Sequence, residues 1–192
     1  MKEIDWNINY HLNIDSLKED TPYLGGDVDI FTDGSKIGEG STGFGVVIKY
    51  KDKDTLKESG NLGLRATVFQ GEIFAVSRAA QLLIDDNTQD RVIKMFVDSQ
   101  PALKALVNPE CHSKLVRETR AKFKDLAHYN DIELRWVKAH IGHALNEEAD
   151  RLAKLGTESK NLFNLPIPIK AVKTEIAEQY TCLLYTSPSP RD

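Results

Sequence analysis

Four carboxylates stand where an apolar run stops or a helical pattern opens: Asp33, Glu72, Asp98 and Asp150. Each alone has a plain explanation. Asp33-Gly34 after an apolar run reads as a turn. Glu72 reads as an acid complementing a helix N-terminus, Asp98 as a turn or cap acid, and Asp150 as one of several acids in a first helical turn. Taken together they point to a shared purpose. If the elements bring all four to one edge, mutual repulsion and desolvation must neutralise some of them. A pair of divalent cations removes that conflict, and all-oxygen ligands favour Mg²⁺ or Mn²⁺ over zinc. Two such ions about 3.5–4 Å apart suit phosphodiester hydrolysis, one activating a water and the other stabilising charge on the leaving oxygen. His140, on a loop with Gly142, has the chemistry of a proton shuttle or product-release group, because histidine titrates near neutral pH. His140 and His143 are three apart, yet with no Cys or further His close by a zinc site is poorly supported.

Positioning falls to elements in the order β-β-β-α-β-α-α-β-α. The β-branched and aromatic run Val28 to Thr32 is a strand that stops at Asp33, with Gly34 forcing the turn. Glycines 34, 38, 40, 43 and 45 read as a flexible hairpin loop; no GxxxxGK[ST] is present to make it a phosphate cradle. Phe44 to Lys49 and Leu56 to Leu64 complete an antiparallel meander. Thr67-Val68-Phe69-Gln70 has the form of a capping box, and Ile73, Val76, Ala80 and Leu83 follow at helical spacing. Arg91 to Val97 is a strand ending at Asp98. Ser99 caps a short helix with Pro101 in its first turn. Ser113 to Tyr129 is a helix with Leu115, Thr119, Phe123 and Leu126 inward. Its basic residues Lys114, Arg117, Arg120, Lys122 and Lys124 form either a solvated face or a phosphate-contacting one. Ile132 to Trp136 alternates as a strand. Asn146 caps the last helix and Gly156 stops it. The result is an α/β domain with a five-stranded mixed sheet, an antiparallel three-strand meander plus two parallel strands, flanked by helices.

The chain has 192 residues, 41% hydrophobic and 28% charged, which suits one domain plus tails. Residues 1–26 read as a linker with one short helix near Ile14–Lys18, 27–156 as the domain, and 157–180 as a C-terminal extension that packs on the surface and holds a short helix over Lys170–Tyr180. Residues 181–192, ending Ser-Pro-Ser-Pro-Arg-Asp, read as a non-native processing or cloning remnant. No apolar run approaches the roughly 20 residues of a membrane span, and Met1 to Tyr10 lacks the form of a secretory signal. Cys111 and Cys182, with no CxxC spacing, argue against a disulfide framework and for a reducing, intracellular setting, cytoplasmic or nuclear. The net charge of −4 does not advertise a nucleic-acid binder, but acids that hold metal no longer count as negative toward a substrate.

Thr32-Asp33-Gly34-Ser35, Phe69-Gln70-Gly71-Glu72, Val97-Asp98-Ser99-Gln100 and Trp136-Val137-Lys138-Ala139-His140-Ile141-Gly142-His143, followed by Asn146-Glu147-Glu148-Ala149-Asp150, resemble type 1 ribonuclease H in order and over about Asp27 to Gly156. The wording Val68-Phe69-Gln70-Gly71-Glu72 is most similar to the ribonuclease H domain of non-LTR retrotransposon polyproteins, where it follows a reverse transcriptase. The resemblance implies a ribonuclease H-like fold and a metal-dependent endonuclease that cuts the RNA strand of RNA–DNA hybrids. It implies Asp33, Glu72, Asp98 and Asp150 as catalytic metal ligands for two Mg²⁺, with Mn²⁺ an alternative, and His140 as the loop histidine. It places Gly34, Ser35 and Gln70 against the RNA backbone and its 2′-hydroxyls. His143 matches a variable position and is given no role. The partners implied are the hybrid and an upstream reverse transcriptase domain, with the domain itself monomeric.

Two departures bear on this. Gly71 stands where alanine is usual, adding backbone freedom at about 0.5–1 kcal/mol if helical. The short link Asn108 to Ser113 leaves no room for the inserted basic helix of some bacterial members. Other readings are a transposase or integrase of the same fold, against which the His140 loop speaks, and a degenerate hybrid-binding or connection module, against which the presence of all four acids speaks.

Overall fold

The computed structural model describes residues 10–13, 25–139, 142–167, 172–173 and 176–177. The elements are β1 (Tyr10–Asn13), β2 (Val28–Lys36), β3 (Thr42–Tyr50), β4 (Leu56–Asn61), α1 (Val68–Asp85), β5 (Val92–Val97), α2 (Gln100–Val107), α3 (Lys114–Ala127), β6 (Asp131–Trp136) and α4 (Ala144–Glu158). The sheet order is β1-β6-β5-β2-β3-β4. β2, β3 and β4 form the expected antiparallel meander, and β2, β5 and β6 run parallel. The expected five strands are all present. A sixth, β1, pairs parallel with β6 from within the 1–26 stretch read as linker. The helix expected at Ile14–Lys18 lies outside the described residues. Of the helix expected over Lys170–Tyr180, residues 172–173 and 176–177 are helical and the rest lie outside them.

Strand alternation sorts the core onto two faces. Val28, Ile30, Val46, Ile48, Ile93, Met95 and Val97 face α1, α2 and α3. Phe31, Val47 and Phe96 face the other way, under Ala149 and Leu152 of α4. Local signals set the starts of α1, α2 and α3 as expected. Thr67 and Gln70 close a capping box at α1, and the Ser99 and Ser113 hydroxyls accept from Ala102 and Val116 backbone N–H groups at α2 and α3. The inward stripe of α3 is buried at Leu115, Thr119, Phe123 and Leu126.

The glycine-rich stretch is not a flexible loop. β2 runs through Gly34 to Lys36 and β3 begins at Thr42, so only 37–41 turn. Gly34, Gly43 and Gly45 are strand residues at which a helix touches the sheet backbone. A Cβ at Gly43 would lie 2.2 Å from the Ala153 carbonyl oxygen, and one at Gly45 2.2 Å from that of Ala149. Helix α4 therefore lies directly on β3. Gly156 is not its stop either. The helix continues to Glu158, and Gly156 is buried against the backbone of Phe44 and Gly60.

Gly71 has the same purpose on the opposite face. A Cβ there would meet the Thr42 Cγ2 at 2.9 Å and the Gly34 Cα at 3.3 Å. Alanine at 71 gains up to about 1 kcal/mol of helix propensity, but it must displace a fully buried β-branched methyl. Thr42→Ser removes that methyl and keeps the hydroxyl that donates to the Ala66 carbonyl at 2.7 Å. We expect Gly71→Ala to be near neutral or destabilising alone. With Thr42→Ser it should show a favourable coupling of about 0.5–1 kcal/mol in a urea-denaturation double-mutant cycle. Strict additivity would remove the steric explanation.

Candidate active site

Asp33, Glu72 and Asp98 each offer a carboxylate oxygen, and these atoms lie within 4.8 Å of one another. Three elements bring them there. Asp33 lies inside β2, opposite Gly45 of β3 and one residue beyond the last β2–β5 pair, Thr32 and Val97. β5 has ended by then, and Asp98 follows it directly. Glu72 arrives from the opposite face. It is not in the first turn of α1, which carries no acid, but one residue beyond it, where the bare Gly34 lets the helix backbone touch β2. A dipole-complementing role for Glu72 loses its geometric basis with that shift.

Asp150 also sits further into its helix than the sequence suggests. Helix α4 begins at Ala144, so Glu147 alone is the first-turn acid, and the N-cap is His143 rather than Asn146. Asp150 stands outside the three-acid cluster but close enough for its charge to act on Asp33. It accepts from Lys154 Nζ at 2.6 Å, one helical turn on. His140 lies outside the described residues.

Burial makes the cluster costly. Asp33 and Glu72 are each 7% exposed. Burial, then the charges of Asp98 and Asp150, push Asp33 up to about 7; a Gly34 backbone hydrogen bond and the Lys154 charge oppose this. Burial, then Asp33 and Asp98, push Glu72 up to about 9, against a Gly34 backbone hydrogen bond. Glu72 Oε2 is buried with no hydrogen-bond partner. An orphaned carboxylate oxygen beside two further acids is a donor set that fits a divalent cation, which would satisfy the oxygen and relieve the repulsion.

The expected substrate-facing residues divide. Gly34 is buried between β2 and α1, and Ser35 follows it, half-buried, on the same strand. Gln70 is already engaged. Its Oε1 accepts from the Thr67 backbone N–H at 3.1 Å, and its Nε2 donates to the Pro166 carbonyl at 2.9 Å. The C-terminal extension thus packs on the domain, as expected, and reaches the start of α1. Leu162 bridges to Asn61, and the Phe163 ring meets Phe44 and Phe74 edge-on.

The basic face of α3 is smaller than its sequence implies. Arg120 is buried and donates to the Ala105, Leu106 and Asn108 carbonyls, closing the C-terminal end of α2. Lys122 donates to Ser77 Oγ at 3.0 Å. Lys114, Arg117 and Lys124 remain outward.

Several residues that the sequence did not mark as site residues shape the site. The Trp136 indole N–H donates to the Asp98 carbonyl at 3.0 Å, tying the end of β6 to the acid. Phe31 and Phe96 stack two residues before Asp33 and Asp98, with ring centroids 4.7 Å apart. Lys154 was legible in principle, being four residues after Asp150 on a helix.

The arrangement is an α/β sheet with acids clustered where the parallel β2–β5 pairing ends, a layout suited to metal-assisted hydrolysis. A sequence model of the RNase H family matches residues 26–158, and the chain belongs to that family, whose members are ribonuclease H enzymes. It is 36% identical over 147 residues to a ribonuclease H of Chromobacterium violaceum, covering 69% of this chain and 95% of the relative. The RNase H1 of the halophilic archaeon Halobacterium salinarum superposes with a TM-score of 0.53 at 25% identity, covering 68% of this chain and 97% of that one. Prototype foamy virus protease-reverse transcriptase matches with a TM-score of 0.56 at 20% identity, over 74% of this chain and 23% of the viral one. No helix among the described residues is long and apolar enough to cross a membrane.

Proposed function

We propose that the chain is an endonuclease that hydrolyses the RNA strand of RNA–DNA hybrids. The observation that carries this is the convergence of buried Asp33 and Glu72 with partly buried Asp98 within 4.8 Å, with Glu72 Oε2 orphaned. These three and Asp150 would hold two Mg²⁺, with Mn²⁺ able to replace them. Bound there, the ions supply a water acidic enough to attack at neutral pH and positive charge for the departing oxygen. The chain itself does the rest. Gly34 and Ser35 bring β2 against the RNA strand, where 2′-hydroxyls distinguish RNA from DNA. Gln70 contributes from the start of α1 once its amide leaves Pro166. His140 carries a proton. Lys114, Arg117 and Lys124 contact phosphates and make binding salt-dependent.

We further infer that this activity serves retrotransposon reverse transcription. The wording of Val68 to Glu72 supports this, and the shared fold with a viral protease-reverse transcriptase chain is compatible with an upstream reverse transcriptase domain. The domain works as a monomer within an intracellular polyprotein.

The test is end-labelled hybrid incubated with Mg²⁺ or with EDTA, beside Glu72→Gln. The wild type should cut only the RNA strand and only with metal. Losing several kcal/mol of charge stabilisation should slow the variant by roughly a thousandfold. Cleavage of duplex DNA, or wild-type activity in EDTA, would refute the reading. Tight hybrid binding without cleavage would replace it with a binding module.

A further inference from the structure

Three near-parallel rings form a column across three elements of the site. His143 stacks on Phe31 with centroids 4.7 Å apart and planes 18° apart. Phe31 stacks on Phe96 at 4.7 Å and 13°. Each ring lies close in sequence to one of the acids. Phe31 precedes Asp33 by two residues in β2. Phe96 precedes Asp98 by two at the end of β5. His143 opens α4, seven residues before Asp150, and follows His140 by three.

The position of His143 is not explained by capping. It is the N-cap of α4, yet its side chain makes no cap hydrogen bond, and its Nδ1 is buried without a partner. The residue before it, Gly142, has a left-handed φ of 83°, and its side-chain direction opens on empty space. At the N-cap of α4, the side-chain contact with β2 is thus the stack of His143 on Phe31.

We propose that His143 is a positioning residue for the reaction, holding the start of α4 in register with Asp33 and Asp98 through the His143–Phe31–Phe96 stack. The proposal rests on the nuclease reading above. It differs from simple core filling, because a flat ring constrains both tilt and spacing whereas an aliphatic side chain of similar bulk fills volume alone.

Three variants separate the two: His143→Phe, His143→Leu and His143→Ala. Each is assayed for kcat and KM on an RNA–DNA hybrid, for Mn²⁺ binding by calorimetry, and for thermal stability. His143→Phe should keep kcat within about twofold. His143→Leu, which still fills the site, should lose about tenfold in kcat with little change in KM, as misplacement of reacting groups does. Its Mn²⁺ affinity should fall by a similar factor, and His143→Ala should do the same with an added loss of stability. Wild-type kcat and Mn²⁺ affinity in His143→Leu overturn the proposal. So does a His143→Phe variant as impaired as His143→Ala. A wild type that binds Mn²⁺ but leaves hybrid uncut removes the nuclease reading, and the calorimetric arm still decides the role of the stack. A wild type that does neither removes both.

Discussion

Asp33→Asn is expected to abolish cleavage and at the same time to stabilise the metal-free protein. The first effect follows from removing a ligand oxygen and its charge from the cluster, worth roughly a thousandfold or more in rate. The second follows from where the group sits. Asp33 has an ordinary value of 3.8 and a folded value of about 7. Below about pH 4 both states hold the proton, and burial costs nothing extra. Between there and about pH 7 the unfolded chain ionises while the folded one keeps its proton, so stability falls as pH rises. Above about 7 both states are ionised and the full cost is carried. Glu72, raised from 4.5 to about 9, adds a fall in the same direction over a wider window. Asparagine at 33 never ionises and also removes a charge that acts on Glu72. In EDTA at pH 8 the variant should be more stable than wild type by roughly 2–4 kcal/mol, with a smaller gap at pH 5. Urea denaturation at the two pH values measures this. Added Mg²⁺ should close the gap by stabilising the wild type, since it binds the folded state alone. A variant less stable than wild type at pH 8 in EDTA would show that the cluster is not strained by its own charge.

The same cluster shows what a sequence can and cannot disclose. The acids were visible because each interrupts a periodic pattern, and the motif order tied them together. Their placement was only half visible. In the sequence Asp33 and Glu72 stand at element boundaries, but β2 continues past Asp33 and α1 has begun a full turn before Glu72. A glycine after an apolar run has one local signature, whether it turns the chain or admits a helix. Only the non-local partner distinguishes the two, and for Gly34, Gly43 and Gly45 that partner is 37 or more residues away. Asp150 was misplaced for a related reason. Ala144 and Leu145 carry no start signal, and His143 caps the helix without a side-chain bond, so Asn146 looked like the better cap. Arg120 counts toward a basic face in the sequence because helical spacing records direction but not what lies there, here the carbonyls at the end of α2 that it binds. Strand β1 has four residues and pairs with a strand at the far end of the chain, so nothing local announces it.

Gly34→Ala should damage cleavage severely although it adds only a single methyl. The added Cβ would lie 2.3 Å from the Glu72 backbone nitrogen, 2.5 Å from the Gly71 carbonyl carbon and 3.0 Å from the Glu72 Cα. Ordinary contact is 3.4–4 Å, and all three atoms are backbone, so no rotamer change can make room. Strand and helix must separate by about 1 Å, and the separation falls directly between Asp33 and Glu72. Overpacking of this kind costs about 1–3 kcal/mol or more in stability. A displacement of that size between reacting groups costs about a hundredfold in rate. The two effects should therefore split. Below its melting temperature the variant should remain folded by circular dichroism yet lose about a hundredfold in hybrid cleavage and most of its Mn²⁺ affinity. Gly38 supplies the contrast. It sits in the true turn between β2 and β3 with φ 56° and nothing within 4 Å of a Cβ. Gly38→Asn, a residue that tolerates left-handed backbone, should leave cleavage within about twofold of wild type. Equal sensitivity at 34 and 38 would mean that β2 needs flexible glycines. Sensitivity at 34 alone means that it needs a missing side chain, at the point where the strand bearing Asp33 meets the backbone of the helix bearing Glu72.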